Sequence, residues 1–82
     1  MSALDKRVVK LLSRSAMVSE EALRPDAELA ALGMGSLEQI ECVLALEDEL
    51  QIELPIADLR KLRTVQDVID VVRQASKDGG TT

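Results

Sequence analysis

Apolar residues recur every three to four positions in three stretches of this 82-residue chain, and this spacing limits the fold more than any other feature. Such a period places side chains on one face of an α-helix, whereas a half-buried strand needs alternation. It predicts helices over residues 3–17, 37–51 and 65–76. A shorter helix is predicted over 56–62, because Pro55 breaks the preceding pattern and is suited to a helix start. We therefore predict an all-α fold, a small four-helix bundle of three principal helices plus a short third helix.

The predicted starts of the three principal helices carry a shared signal. Each has a Ser or Thr followed three residues later by an acidic residue or Gln, which is the pattern of a capping box. The three pairs are Ser2 with Asp5, Ser36 with Gln39, and Thr64 with Asp67.

A long loop separates the first two predicted helices. Pro25 and Asp26 indicate a turn, and Gly33 and Gly35 indicate backbone freedom just before the second helix. The loop has room for a short helical turn at 27–32, and its leucines are spaced to reach a core. Loops of this length are uncommon in small domains and often serve function.

The length and composition bound the domain and its chemistry. Eighty-two residues make one small domain, which we place at residues 1–77 with a flexible, glycine-rich tail at 78–82. The core must be aliphatic, since Phe, Tyr and Trp are absent. The chain has no His and a single cysteine, Cys42, so it cannot form an internal disulfide or a Ser-His-Asp triad. The same two facts exclude nearly every metal site built from His or Cys ligands. We predict no catalytic residue, no metal ligand and no enzymatic activity.

The sequence contains no apolar run of about 20 residues, so no membrane insertion is expected. It also lacks a charged-then-apolar leader. The free thiol is compatible with a reducing compartment, and a cytoplasmic location is the expectation.

The net charge of −5 comes from one segment, because residues 33–54 hold six acidic residues and no basic one. This concentration disfavours nucleic acid as a partner and favours proteins that present Lys or Arg. The second helix also carries two apolar stripes, although one helix in a small bundle rarely buries so wide a surface. The stripe of Leu37, Ile40 and Leu44 is a candidate surface for a partner or a cargo, and together with its neighbouring charges it supplies the predicted partner-binding residues. These residues are Leu37, Glu38, Ile40, Glu41, Leu44, Glu47 and Asp48. The alternative is a merely solvated face.

Ser36 is the predicted N-cap of the second helix, with its hydroxyl exposed. There is no His, and no lysine between residues 11 and 60, so no local base is evident to activate this serine as a nucleophile. The position suits a serine that another enzyme modifies, because the helix dipole and free N–H groups favour a phosphate there. An ordinary capping serine is the alternative.

Gly-Met-Gly-Ser-Leu-Glu at 33–38, followed by the acidic helix and by Thr-Val-Gln-Asp-Val-Ile-Asp at 64–70, resembles the acyl carrier protein family. The resemblance covers residues 32–72 closely and the first helix more loosely. It implies 4′-phosphopantetheine joined to Ser36 through a phosphodiester, with a terminal thiol that holds cargo as a thioester. It also implies a discrete, monomeric carrier that serves fatty-acid or polyketide-type enzymes. The implied partners are a phosphopantetheinyl transferase and acyl ligase, synthase or transferase enzymes with basic docking patches.

One position departs from the family pattern. Gly35 stands where the family usually has an Asp that helps hold the magnesium used by the transferase, so modification is expected to be slower or to need a particular transferase. Two alternatives stay open: an aminoacyl or peptidyl carrier of a nonribosomal pathway, and an unmodified helical adaptor that docks a basic partner. The acidic second helix and the lack of a Gly-Gly-His-Ser or Gly-Gly-Asp-Ser motif favour an acyl or polyketide carrier.

Overall fold

The computed structural model describes residues 2–79, except for the side chains at positions 56, 58 and 77–79. It contains α1 (Ala3–Ala16), α2 (Ser36–Leu50), α3 (Ile56–Leu59) and α4 (Val65–Gly79). Helix α1 packs against both α2 and α4, and the described residues form no β-strand. The predicted all-α bundle, with three long helices and a short third one, is confirmed.

The predicted N-caps of α1 and α4 are confirmed, and at α4 the hydrogen bonds of the capping box are reciprocal. At α1, the Asp5 N–H donates to Ser2 Oγ at 3.1 Å. At α4, the Asp67 N–H donates to Thr64 Oγ1 at 3.2 Å, and the Thr64 N–H donates back to Asp67 Oδ2 at 3.0 Å. The backbone N–H groups of Thr64 and Arg63 lower the pKa of Asp67.

The third predicted cap is wrong by one residue, because the N-cap of α2 is Gly35 and Ser36 is the first helical residue. The Gly35 N–H donates to Glu38 Oε1 at 2.9 Å, while the Gln39 side chain donates to the Met34 carbonyl at 3.0 Å. Glu38, rather than Gln39, thus makes the reciprocal contact at the helix start. A carboxylate is the stronger acceptor and is favoured by the helix dipole.

The long loop is fastened to the start of α4 by backbone hydrogen bonds. The Leu29 N–H donates to the Arg63 carbonyl at 2.8 Å, and the Val65 N–H donates to the Ala27 carbonyl at 3.0 Å. Two short 3₁₀ turns, Glu20–Ala22 and Ala30–Leu32, lie within the loop. The predicted helical turn is therefore present over its last three positions, and the loop is a fixed part of the fold.

The core is aliphatic, as the composition requires. Leu12, Leu46, Val65 and Val72 are almost completely buried between the long helices, and the loop adds other buried side chains, such as Leu29. At 25 to 30 cal/mol per Å² of apolar surface, burial of such side chains contributes about 1.5 to 3 kcal/mol each. Cys42 is buried as well, and burial raises the pKa of its thiol.

An ion pair lies between the first and the last helix of the bundle. The Asp5 carboxylate is buried and pairs with the Arg73 guanidinium, whose Nε lies 3.0 Å from Asp5 Oδ1. The bond from Arg73 lowers the pKa of Asp5, in spite of the opposing effect of burial. The pair therefore links α1 to α4.

Two predicted boundaries differ from the structure. Helix α3 covers four residues rather than the seven predicted, and α4 continues to Gly79 rather than ending near residue 76. Residues 78 and 79 of the predicted tail therefore belong to α4, and residues 80–82 lie outside the described part. Lys77 and Asp78 are compatible with a helix, and α4 continues to Gly79, the last described residue.

No helix in residues 2–79 is both long and apolar enough to cross a bilayer.

Candidate functional site

Ser36 lies at the exposed end of α2, where it is the first helical residue. The Gln39 N–H closes the first helical hydrogen bond to the Gly35 carbonyl at 2.9 Å. Backbone N–H groups of a helical first turn lack partners within the helix and form its positive end. A phosphate on the serine oxygen would therefore be stabilised by this end of α2.

The segment before Ser36 is held in place rather than loose. Met34 is buried, its N–H donates to the Leu29 carbonyl at 3.0 Å, and its carbonyl accepts the Gln39 side chain. Gly33 has a φ of +86°, a left-handed conformation that glycine adopts without cost. These contacts place Ser36 at a defined position on the surface.

Gly35 has an ordinary backbone, so the predicted backbone freedom applies to Gly33 alone. What distinguishes Gly35 is the space beside it: a Cβ there would lie 2.8 Å from Glu38 Oε1. The Glu38 carboxylate thus occupies the space that an aspartate side chain at position 35 would enter.

A cleft of about 600 Å³ opens beside Ser36, between α2 and the segment that contains α3. Ile40 and Val43 line its α2 side, and Leu59 and Leu62 line the other. Its polar lining residues are Ser36, Gln39 and Arg60. Mostly apolar clefts with a few polar groups are typical of binding sites for small molecules or prosthetic groups.

The outer face of α2 exposes large apolar side chains: Leu37 is 64% exposed, Ile40 49% and Leu44 58%. Glu38, Glu41 and Asp48 are also exposed on this helix. The structure therefore brings six of the seven predicted partner-binding residues to the surface, with apolar and acidic side chains interleaved. Exposed apolar groups of this kind, bordered by charge, are typical of interaction surfaces.

The seventh residue, Glu47, is half-buried and is already engaged within the fold. Its Oε2 accepts the Leu54 N–H at 2.8 Å, and its carbonyl accepts the Ile52 N–H at 3.2 Å. These bonds fix the turn that leads from α2 to α3. Glu47 thus has a structural role that the charge pattern did not indicate.

Arg60 was not among the predicted site residues, since the apolar spacing of the predicted helix over 56–62 leaves this charged side chain facing outward. The structure leaves it exposed but lining the cleft beside Ser36. Its distance in sequence from Ser36 hid this proximity.

The described residues contain no cluster of three or more His, Cys, Asp or Glu side chains able to hold a metal ion.

Comparison with known proteins identifies the fold and the family. Residues 6–72 match the family described as the phosphopantetheine attachment site. The fold is similar to that of an acyl carrier protein from Thermotoga maritima, with a TM-score of 0.78 and 24% sequence identity over 93% of this chain and 94% of that one. Proteins of this family carry groups on a covalent 4′-phosphopantetheine arm and are not enzymes. The chain therefore belongs to the family of phosphopantetheine-binding carrier domains.

Proposed function

We propose that this protein is an acyl carrier protein in which Ser36 bears the 4′-phosphopantetheine arm. The arm's thiol would hold acyl intermediates as thioesters and present them to fatty-acid or polyketide-type enzymes. The observation that carries the proposal is the placement of Ser36, exposed at the positive end of α2 and at the edge of an apolar cleft.

The residues around Ser36 fit such a group. A phosphodiester on the serine oxygen would lie at the N-terminus of α2, where anions are favoured. The cleft lined by Ile40, Val43, Leu59 and Leu62 could shelter the arm or an attached acyl chain from water. The arm supplies the reactive thiol; this chain positions, shields and presents it.

The modification itself requires another enzyme. The Ser36 oxygen would attack a phosphorus atom of the coenzyme A diphosphate, and the P–O bond to the nucleotide would break. The hydroxyl proton would leave to a base of the transferase. The sequence has no His and offers no evident local base for this step.

The outer face of α2 is the proposed docking surface for the transferase and for synthase or ligase enzymes. Its carboxylates would steer basic patches towards Ser36, and Leu37, Ile40 and Leu44 would be buried on contact. Because Glu47 already bonds to Leu54, we assign it a smaller part in docking than Glu41 or Asp48. We place this carrier in the cytoplasm, as a monomer.

Incubation with coenzyme A, magnesium and a broad-specificity phosphopantetheinyl transferase tests the proposal by intact-mass measurement. Wild type should gain one phosphopantetheine mass and Ser36→Ala none. Ser19→Ala is a matched control, since Ser19 is also exposed at a helical start and makes no side-chain capping bond. No mass gain on wild type, under conditions that modify a known carrier, would contradict the proposal.

An unmodified adaptor is the second candidate, and the observation that favours it is Gly35 in place of the family's aspartate. The adaptor would dock a basic partner through α2 with Ser36 left free. The same mass measurement separates the two functions, because only the carrier gains the arm. An aminoacyl cargo would leave this result unchanged, and mass spectrometry of protein purified from its native cells identifies the cargo.

A further inference from the structure

Arg60 is the one charged residue among those that line the cleft in the described part of the protein. Among the described lining residues there is no carboxylate, although α2 carries several on its outer face. The cleft therefore contrasts in charge with the docking surface beside it.

The guanidinium of Arg60 makes no hydrogen bond or ion pair with the described residues. Two other arginines have internal partners: Arg73 pairs with Asp5, and Arg7 donates to the Glu49 carbonyl at 3.4 Å. Arg60 thus keeps its donors available at the mouth of an apolar cleft, where solvent screening is weaker than on an open surface.

A guanidinium is suited to anionic oxygen groups, because its donors form a planar fork that matches carboxylate and phosphate geometry. An anion at the outer face of α2 would be repelled by Glu38 and Glu41, which are exposed there. Within the cleft it would meet Arg60 and the amide of Gln39. Charge and geometry together favour an anionic group within the cleft rather than on the outer face of α2.

From these contacts we infer that Arg60 binds an anionic oxygen group carried on the arm at Ser36. Two sources have this chemistry: the phosphodiester of the arm, and a carboxylate on the acyl cargo. The inference rests on the proposed function, and it adds a residue that selects or positions the bound group. If the source is the cargo, the carrier favours acyl groups with a distal carboxylate.

The test uses the full-length protein loaded by the transferase from coenzyme A, hexanoyl-coenzyme A or succinyl-coenzyme A. Intact mass first establishes the adduct, and ¹H–¹⁵N spectra of the arginine Nε–Hε groups then report on Arg60 in apo and loaded forms. Arg60→Gln assigns the signal. Arg63→Gln is the matched control, because its side chain carries the same charge and is exposed but does not line the cleft.

A shift of the Arg60 signal in all three loaded forms identifies the phosphodiester as the bound group. A shift found only with the succinyl form identifies the carboxylate. In the second case, the distal ¹³C-labelled carboxylate should titrate roughly one pH unit lower in wild type and Arg63→Gln than in Arg60→Gln, as expected beside a cation.

Two results would overturn the inference, and they have different consequences for the proposed carrier function. A complete mass adduct with an unchanged Arg60 signal in every form removes the role of Arg60 but leaves the carrier function. No adduct at all removes both. Thermal unfolding of Arg60→Gln should match wild type, so a folding defect would be visible separately.

Discussion

Helices α1 and α2 flank the same core but use their outer surfaces differently. Among the described residues, α1 exposes no large apolar side chain, and its solvent face is basic, whereas α2 exposes Leu37, Ile40 and Leu44 among carboxylates. Yet α2 also buries Cys42, Val43 and Leu46 on its inner side. Helix α2 therefore carries more apolar surface than the core buries, and the surplus lies on the helix that begins at Ser36.

Leu46 and Leu44 provide the sharpest test of this difference, since they lie two residues apart on α2. Leu46 is completely buried and Leu44 is 58% exposed. Leu46→Ala should lower the free energy of unfolding by about 3 kcal/mol, because it leaves a cavity, whereas Leu44→Ala should change it by less than about 0.5 kcal/mol. Urea denaturation measures both.

Recognition by a partner enzyme, in contrast to stability, should depend on Leu44 rather than on Leu46. Leu44→Ala should raise the KM for the transferase or a cognate enzyme about fivefold, which corresponds to roughly 1 kcal/mol of lost contact. Equal unfolding free energies for the two variants would refute the division of α2 into a core face and a docking face.

The Asp5–Arg73 pair tests how the contact between α1 and α4 contributes to stability. Because Arg73 lowers the pKa of Asp5, the pair's contribution is present above the unfolded pKa of about 3.9 and is lost as pH falls through the folded value. Asp5→Asn should therefore be less stable than wild type at pH 7, and the difference should narrow as the pH is lowered below 4. Thermal melts from pH 2 to 7 measure this difference in stability, with Asp48→Asn as an exposed control. A gap that widens in acid would contradict this account.

Glu47 and Glu41 test which carboxylates of α2 serve the fold. Glu47→Ala removes the acceptor for the Leu54 N–H and should cost about 1 kcal/mol. Glu41→Ala should stay within about 0.5 kcal/mol of wild type, since Glu41 is exposed. In transferase kinetics the order should reverse, with the larger rise in KM for Glu41→Ala. If Glu47→Ala is as stable as Glu41→Ala, the turn does not depend on the Glu47 carboxylate.

Gly35→Asp should produce the smallest change in stability. Aspartate is the better N-cap by a few tenths of a kcal/mol, but its Cβ would lie 2.8 Å from Glu38 Oε1 and force that carboxylate to move. We expect the two effects to offset to within about 0.5 kcal/mol, while the rate of modification by the transferase increases. An unchanged rate would show that Gly35 does not impair modification.

Local sequence was sufficient for the elements whose signals are local. The caps at Ser2 and Thr64 need only their own first turns, and the helical stripes need only their own spacing. At α2 two helix starts one residue apart are possible, Gly35 with Glu38 and Ser36 with Gln39, and only the contact geometry decides between them.

The features that the sequence did not reveal depend on contacts between distant residues. Asp5 and Arg73 are 68 positions apart, and nothing in either helix marks them as a pair. The attachment of the loop to α4 uses backbone groups, which have no sequence signature. Arg60 joins the cleft because the segment around the end of α3 lies across the cleft from α2. The exposed apolar stripe of α2 could be predicted, because its surplus over the buried stripe is visible in the spacing alone.

The most direct measurement is peptide-level mass spectrometry of the protein after co-incubation with coenzyme A and the transferase. The account predicts that the whole added phosphopantetheine mass lies on the peptide that contains Ser36. Fragmentation of this peptide should release the arm from that residue. An adduct on another residue, or an unmodified Ser36 peptide alongside a fully modified control carrier, would contradict it.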